Sequence, residues 1–499
     1  MTSMTLFALG WSPVLLLAVM AVILRRSALE LAVVGYGYVA VLAGAAFQTP
    51  WPVVAWASLD GLLTTVPLLA VVFLGIVFSQ LLVASGSLAR LAAWLFSGLS
   101  RPLPRQLLIA LGLGNFFEGA SIIAEPMIAP MLMLSGVQPL GAAALSILGY
   151  AGLMGIEMAG IIITILALVT GLPYGDLGVA TTWLSVPAAL LMTLCLPLFL
   201  PQPREAWRQL PLLLGCGLLV SLASLAAAVW LGIAIAGMVG GIVLVGFLLW
   251  RGERAPARPD RRLWAELVPF GVILVPLLLV NTVPWLQELT RRRLVVTVAV
   301  LPQHPIAFTP FFSAYLYLLA ALGAAVWLQG LSREQWRQVW RAGVAKGWRA
   351  LLAMGLFGAM GQVLAYSGYT PDFAQLRPEY NIPLILATGL KQLTGGLYPL
   401  FVPLLGWAGT FLTGYGVAAL MLFGDLQVQA ASLLGVSATV LAAGLTVGSA
   451  VGSISSPFKI AIATPMCGAE GQEGAILRLT IPLGVAASLA LGIIVWLAA

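Results

Sequence analysis

Residues 114–126 read GNFFEGASIIAEP and place two glutamates, Glu118 and Glu125, between glycines and a proline in a largely apolar chain. Glycine and proline weaken or interrupt helices. Inside a bilayer, the backbone groups that such a break frees must be satisfied within the protein or face a water-filled cavity. The stretch therefore predicts a broken helix that lines a cavity inside a membrane protein.

The composition around this stretch supports the same interpretation. The chain has 499 residues, of which 61% are hydrophobic and 8% are charged, whereas soluble domains carry roughly 25% charged residues. Apolar runs of about 20 residues recur from end to end, and they predict an all-α polytopic membrane protein with roughly 12 to 14 transmembrane helices. The net charge of +7 comes from basic clusters between these runs, such as Arg25-Arg26 and residues 251–262, which is typical of cytoplasmic loops and not of nucleic-acid binding.

The chain also repeats itself. QLLVASG at 80–86 returns as QVLAYSG at 362–368, GNFFEG at 114–119 as GTFLTG at 409–414, and the segment 135–151 as 434–450, in the same order. The basic clusters place the beginnings of the two copies on opposite sides of the membrane, which predicts two inverted repeats with broken or re-entrant helical hairpins. The predicted division is 1–55 for N-terminal transmembrane helices, 56–200 for the first inverted repeat, 201–330 for connecting transmembrane helices and loops, and 331–499 for the second inverted repeat.

Inverted repeats are typical of secondary transporters, whose substrate site lies near the midplane where broken helices meet. Helix N-termini in such breaks present N–H groups to an anion, which suits a small carboxylate. Burial disfavours the charged form of a carboxyl, so we expect Glu118 to take up and release a proton, with Glu125 and Glu157 as further candidates. The alternative role for Glu118 is that of a helix cap bonded to backbone N–H groups.

Other polar residues leave alternatives open. Lys459 can pair with a substrate carboxylate or a glutamate, or extend its ammonium group to the membrane interface. Asp60 follows Ser58 and Leu59 at the start of a span, and we expect it to be an N-terminal cap. The single histidine, His304, lies in a predicted outer loop, which leaves proton transfer to carboxyls or to the substrate. The amide of Gln80 either joins helices or lines the transport route.

Several segments resemble the L-lactate permease family. They are Asp60-Gly61-Leu62, residues 89–121, QVLAYSGYT (362–370), GWAGTFLTG (406–414), LFGDLQ (422–427), ISSP (454–457) and EGQEGAILRLTIP (470–482). The resemblance runs through the whole chain and keeps order and spacing. It implies a carrier with re-entrant hairpins in each half that imports lactate, and often glycolate, with protons across the bacterial plasma membrane.

The resemblance also implies which residues form the site. Glu118, Gly119, Ala120 and Pro126 match one family segment, and Thr413, Gly414, Ser456 and Pro457 match segments of the second half. The chain departs from the family at Ile122-Ile123-Ala124, where the family carries Gly-Phe-Gly, at Tyr415-Gly416, where it carries Ser-Asp, and at Ser453, where it carries Lys. The lost acid and base either formed a pair, whose joint loss leaves no unpaired charge, or have Lys459, Glu125 and Glu157 as candidate replacements.

We therefore predict a proton-coupled importer of a small monocarboxylate of the lactate or glycolate type, with a small organic anion, protons and the lipid bilayer as its partners. The predicted substrate-binding residues are Gly119, Ala120, Ser121, Thr413, Gly414, Tyr415, Gly416, Ser456 and Lys459, and the predicted proton-coupling residues are Glu118, Glu125 and Glu157. The alternative is a proton- or sodium-coupled carrier of a different organic anion. We expect no catalytic residues, cofactor or metal, because the sequence has no metal-ligand set and no nucleophile beside a base. The sequence does not predict the oligomeric state.

Overall fold

The computed structural model describes residues 3–24, 26–253, 258 and 260–499 and is almost entirely helical. Arg25, and residues 254–257 and 259 of the second basic cluster, lie outside the described residues. The helices of the first part are α1 (Ser3–Ala18), α2 (Ala28–Ala45), α3 (Trp51–Ala84), α4 (Ser87–Phe96), α5 (Pro102–Leu107), α6 (Gly114–Gly119), α7 (Glu125–Leu134), α8 (Pro139–Ala151), α9 (Ile161–Thr170) and α10 (Tyr174–Cys195).

The second part begins with a connecting region. It contains α11 (Pro203–Arg208), α12 (Leu210–Trp230), α13 (Ala236–Trp250), α14 (Arg261–Thr282), α15 (Pro284–Glu288), the strands β1 (Val296–Leu301) and β2 (His304–Phe308), and α16 (Ala314–Leu328). The remaining helices are α17 (Arg333–Ala365), α18 (Ile382–Thr394), α19 (Tyr398–Thr413), α20 (Gly416–Leu434), α21 (Ala438–Gly452), α22 (Pro457–Cys467) and α23 (Glu473–Ala498).

The number of spans agrees with the sequence. Among the described residues, 12 helices are long and apolar enough to cross a membrane, and the bent pair Pro139–Ala151 and Met154–Thr170 makes 13. Large exposed tryptophans lie at or near helix ends, as at Trp230, Trp250 and Trp327, where an interfacial aromatic belt is expected. The prediction of an all-α polytopic membrane protein with roughly 12 to 14 transmembrane helices is confirmed.

The two longest helices, α3 with 34 residues and α17 with 33, pack against each other in antiparallel directions. Gly61 of α3 lies against Gly358 of α17, and Gly343, near the other end of α17, lies against Val77 of α3. A Cβ atom on Gly61 would come within 2.3 Å of the Gly358 carbonyl oxygen, so glycine is required for this close approach. This contact joins the first half of the chain to the second half.

The predicted outer loop contains an antiparallel β-hairpin, β1 paired with β2, and not only irregular chain. Its turn places His304 beside Asp60, with Nδ1 of the imidazole 2.7 Å from Oδ2 of the carboxylate. The N-terminal cap predicted for Asp60 is wrong, because Asp60 lies inside α3, ten residues into the helix, and is fully buried. A buried carboxylate needs a partner, and the hairpin supplies it.

Candidate functional site

The first break in the fold separates α6 from α7, where the opening sequence motif predicted it. Ser121 adopts the left-handed conformation with φ +64°, and Ile122 donates its N–H to the carbonyl oxygen of Phe117 at 2.8 Å, which ends α6. The backbone N–H of Ala124, just before α7, donates to Oε1 of Glu118 at 2.9 Å. Glu118 therefore satisfies a backbone group that the break has freed, while its side chain also borders an internal cavity.

The second break separates α19 from α20. Gly414 has φ +84°, a conformation that favours glycine, and its carbonyl oxygen accepts a hydrogen bond from the Ser456 hydroxyl at 3.0 Å. The Thr413 hydroxyl donates to the carbonyl oxygen of Gly409 at 2.8 Å. Ser456 is also the N-cap of α22 and accepts from the N–H of Lys459 at 3.3 Å. These contacts fix the start of α22 against the break.

The start of α22 presents Lys459 to residues of the first half. Its ammonium Nζ donates to the Tyr150 hydroxyl at 2.7 Å, and that hydroxyl donates to Oε1 of Glu125 at 2.6 Å. The distance from Nζ to Oε1 is 3.5 Å, which makes a direct ion pair. Glu125 and Lys459 are only 1% and 8% exposed. A Lys459–Tyr150–Glu125 cluster therefore joins α22, α8 and α7 in a buried environment.

A cavity of about 370 Å³ opens beside this cluster. The buried polar side chains in its wall are Ser79, Glu118, Glu125, Tyr415 and Lys459, and the half-buried Gln80 and exposed Lys346 also line it. Lys346 donates to the Gln80 amide oxygen at 2.9 Å. The rest of the wall is apolar and is formed by Leu68, Val72, Ile76, Ile123, Pro126, Met154, Met158, Ala350, Met354, Val417, Phe458, Ala461, Ile462, Pro465 and Met466, with Gly416.

Glu157 lies in a further break between α8 and α9. The next three residues, Met158, Ala159 and Gly160, have φ of 55°, 50° and 73°, and the two that are not glycine are strained there. Glu157 is fully buried, and neither of its carboxyl oxygens has a hydrogen-bond partner among the described residues. It does not line the cavity. A buried carboxyl without a partner is unfavourable when charged.

The structure brings part of the predicted site to the cavity. Glu118, Glu125, Tyr415, Gly416 and Lys459 line it, whereas Gly119, Ala120, Ser121, Thr413, Gly414, Ser456 and Glu157 do not. Gly119 packs against α13, where an added Cβ would lie 2.5 Å from the backbone nitrogen of Met238. Ser456, Thr413 and Gly414 shape the backbone that presents Tyr415 and Lys459. These residues serve as a scaffold around the cavity in this conformation.

Sequence reasoning missed one member of the site, Tyr150, and left the role of a second, Gln80, open. Tyr150 bridges Lys459 and Glu125, and its only sequence signal was a hydroxyl-bearing side chain inside the apolar repeat segment at 135–151. Gln80 was left between two roles, and the structure places it in the cavity wall. The alternative in which Lys459 extends to the membrane interface does not apply in this structure, because its ammonium group is buried against Tyr150.

His304 forms a second polar centre, outside the membrane-spanning helices. Its Nε2 lies 2.9 Å from the carbonyl oxygen of Leu168, and its Nδ1 contacts Asp60. Burial alone lowers the pKa of the imidazole, but the hydrogen bond and negative charge of Asp60, together with the Leu168 carbonyl, raise the pKa of His304 above its ordinary value. The β-hairpin is therefore held to α3 and α9 by a charge-assisted contact.

In the described part of the chain, twelve helices can span a membrane, and buried charged side chains line a cavity beside two helix breaks, which defines a multi-pass membrane protein with a candidate site among its helices. The chain matches the L-lactate permease family over residues 6–252 and 283–499. This chain belongs to the L-lactate permease family, and its fold and family together place it in the bacterial inner membrane.

Individual relatives match over shorter segments. The glycolate permease GlcA of Escherichia coli (strain K12) is 36% identical over 149 residues, which cover 30% of this chain and 24% of the relative. The L-lactate permease of the same strain is 36% identical over 151 residues, 30% of this chain and 27% of the relative. That of Streptococcus iniae is 23% identical over 388 residues, 74% of this chain and 78% of the relative. The matched segment thus spans about a quarter of the length of the first two relatives.

Proposed function

We propose that this protein is a secondary carrier that imports a small monocarboxylate of the lactate or glycolate type together with protons, and that it catalyses no chemical reaction. The observation that carries the proposal is the Lys459 ammonium group, buried beside a cavity and shared with Glu125. A buried cation attracts an anion strongly because water screens it poorly. The relatives named as lactate and glycolate permeases support a carboxylate as that anion.

The charges around Lys459 explain how protons are coupled to the substrate. One cation faces three buried carboxyls, Glu118, Glu125 and Glu157. With all of them ionised the site would carry a net negative charge and would repel an anion. A substrate carboxylate can bind Lys459 without excess negative charge only if it replaces Glu125 there and Glu125 takes up a proton.

Each carboxyl then has a distinct place in the cycle. Glu125 gives up its ion pair and is neutralised when the substrate binds. Glu118 faces the cavity and also holds the backbone of Ala124, next to Glu125, so it is the group we assign to proton exchange with the cavity. Glu157 stays neutral beside the site, since no described group pairs with its carboxyl oxygens. On this scheme, one proton enters for each monocarboxylate.

The packing of α3 and α17 supports an inverted repeat. The matching heptapeptides at 80–86 and 362–368 set the offset between the two copies at 282 residues (362 minus 80). At this offset Gly61 corresponds to Gly343, and Gly358 corresponds to Ile76, one residue from Val77. The contact of Gly61 with Gly358 thus has a near counterpart in the contact of Gly343 with Val77, as two-fold related copies require. Alternating access would then tilt one copy against the other around the Lys459 cluster.

Uptake by purified protein in sealed proteoliposomes tests the proposal. Radiolabelled L-lactate and glycolate would be offered under an imposed pH gradient, acidic outside, or under an imposed sodium gradient at equal pH. We expect accumulation with the pH gradient and its loss when an ionophore dissipates that gradient. Accumulation driven by sodium alone would replace proton coupling with the sodium-coupled alternative, and a failure of both acids to enter would refute the substrate class.

A further inference from the structure

The wall of the cavity separates polar and apolar groups. Its buried polar side chains, Glu118, Glu125, Tyr415 and Lys459, come from the two helix breaks and the start of α22. Apart from Ser79, the wall between these groups and the exposed Lys346 with its partner Gln80 consists of aliphatic, methionine and phenylalanine side chains. Ser79 also borders the cavity, but its hydroxyl is engaged with the carbonyl oxygen of Ile123. A hydrophilic acid would place its carboxylate against the buried polar side chains and leave its remaining polar groups against an apolar surface.

The size of the cavity exceeds what a three-carbon acid fills. Lactate has only six non-hydrogen atoms and leaves most of the apolar part of the wall without a contact. The cavity measures about 370 Å³. Apolar ligand groups that cover the apolar part of the wall gain free energy by removing that surface from water. The unfilled part favours a substrate with an apolar group behind its carboxylate.

The charge inventory restricts the substrate to one carboxylate. Lys459 is the one buried cation in the wall of this cavity as the structure describes it, and the second basic residue there, Lys346, is exposed and bonded to Gln80. A second carboxylate on the substrate would lie among Val72, Met158 and their apolar neighbours, where a charge loses its hydration without gaining a partner. Dicarboxylates are therefore excluded by the same wall that favours an apolar chain.

Resting on the proposed function, we infer that the preferred substrate is a monocarboxylate with an apolar side chain of about three to five carbons, such as a 2-hydroxy acid of medium or branched chain. The carboxylate contacts Lys459 in the place of Glu125. The Tyr415 hydroxyl, which has no hydrogen-bond partner within the described part of the chain, is the donor available to a 2-hydroxyl group. The side chain packs on Phe458, whose ring centroid lies 4.6 Å from that of Tyr415.

Binding of a homologous series to the purified full-length protein tests this inference. The series is glycolate, L-lactate, 2-hydroxypentanoate and 2-hydroxyhexanoate, with malate as a dicarboxylate of similar length, measured by calorimetry at one pH. Each buried methylene group should tighten binding about fourfold until the cavity is full. We expect 2-hydroxyhexanoate to bind at least 30-fold more tightly than glycolate, and malate to bind more weakly than lactate.

A pair of matched variants separates wall contacts from general effects. Val72 lines the cavity, whereas Val71, its neighbour in α3, is buried elsewhere. Val72→Thr should reduce the preference for 2-hydroxyhexanoate over lactate at least threefold, because it places a hydroxyl in the apolar wall, while Val71→Thr should leave this ratio unchanged. Because the readout is a ratio within one preparation, partial unfolding of either variant does not affect it.

The outcomes distinguish the two proposals. Lactate and glycolate binding as tightly as the longer acids, or equal ratios in both valine variants, would overturn the inference of an apolar side chain and leave the proposed carrier of small monocarboxylates intact. If no acid in the series binds, or if binding persists equally in Lys459→Met, the proposed function itself fails.

Discussion

Replacement of Lys459 by methionine isolates the central charge of the site. Methionine keeps an unbranched, apolar side chain but removes the ammonium group that lies 3.5 Å from Oε1 of Glu125 and 2.7 Å from the Tyr150 hydroxyl. Among the described residues, Lys459 is the one basic side chain that forms an ion pair with Glu125. In the variant, Glu125 must remain charged and unpaired in a buried site or take up a proton.

Glu125 in the variant adopts whichever state, charged or protonated, has the lower free energy, and that state sets the loss of stability. Leaving a buried charge unpaired costs roughly 3 to 5 kcal/mol. Taking a proton from solution at pH 7 costs about 3.7 kcal/mol, since a free glutamate is half-protonated near pH 4.3. We therefore expect Lys459→Met to lower the free energy of unfolding by about 3 to 4 kcal/mol at pH 7. At pH 5 the loss falls to about 1 kcal/mol, because protonation becomes easier by about 1.4 kcal/mol for each unit of pH.

The sign of this pH dependence follows from the number of protons bound in the folded and unfolded states. Where the folded variant takes up this proton, it binds one proton more than its unfolded chain, so its stability relative to the wild type decreases as the pH rises. Unfolding in mixed detergent micelles, followed by tryptophan fluorescence at pH 5, 6, 7 and 8, measures this slope. The double variant Glu125→Gln/Lys459→Met removes both charges and should lose less than about 1.5 kcal/mol, with no such slope.

The exposed Lys391, which donates to the Leu433 carbonyl oxygen at 2.7 Å, provides the matched control. Lys391→Met should cost about 1 kcal/mol or less at every pH, as expected for one exposed hydrogen bond. If Lys459→Met is as stable as the wild type at pH 7, or if its loss of stability is the same at pH 5 and pH 8, then Lys459 does not neutralise Glu125 and the exchange of anions proposed above is refuted.

Three further changes test other parts of the structure. Glu118→Gln keeps an oxygen that can accept from the Ala124 N–H, so substrate exchange across proteoliposomes should remain. It removes the ionisable carboxyl, so proton-driven accumulation should be abolished. Equal loss of exchange and accumulation would show a structural role. His304→Gln should remove about 2 kcal/mol of stability below about pH 6.5. This loss of stability should shrink as the pH rises through the raised pKa of His304, because the wild type then loses its imidazolium. A loss that grows with pH in unfolding titrations would contradict this assignment. Gly75→Ala should destabilise the protein by about 1 to 3 kcal/mol, since its Cβ would lie 2.0 Å from the carbonyl oxygen of Ser121 in the first break. Gly246→Ala, where no atom lies within 4 Å of the added Cβ, should be neutral or stabilising. Similar melting temperatures for the two variants would argue against the contact of Gly75 with Ser121.

The membrane class and the position of the first break could be predicted from composition and from glycine spacing, because both are local properties of the sequence. The pairing of Glu125 with Lys459 was one of several possibilities, since the two residues lie more than 300 positions apart and meet only through packing. The Asp60 prediction failed because α3 begins at Trp51, directly after Pro50, and not next to Asp60. A carboxylate near the start of a span resembles a cap, and nothing local indicates that a β-hairpin will place His304 beside it.

The competition between Glu125 and the substrate for one cation makes a final prediction about pH. Coupling between two ligands is reciprocal, so if substrate binding drives proton uptake by Glu125, acidification must strengthen substrate binding by the same factor. Where Glu125 is ionised in the empty protein and protonated in the complex, the apparent dissociation constant should rise up to tenfold for each unit of pH.

Glu125→Gln resembles the protonated carboxyl and cannot compete for Lys459. It should therefore bind substrate with an affinity close to the acidic limit of the wild type and with a dissociation constant that no longer depends on pH, while accumulation driven by a pH gradient is lost. Calorimetry between pH 5.5 and 8 measures both dependences, and Glu118→Gln, with Glu125 intact, serves as the matched carboxyl variant. A Glu125→Gln protein that retains the wild-type dependence on pH would show that the proton is taken up elsewhere, and the ion pair in the resting site would then have no part in coupling.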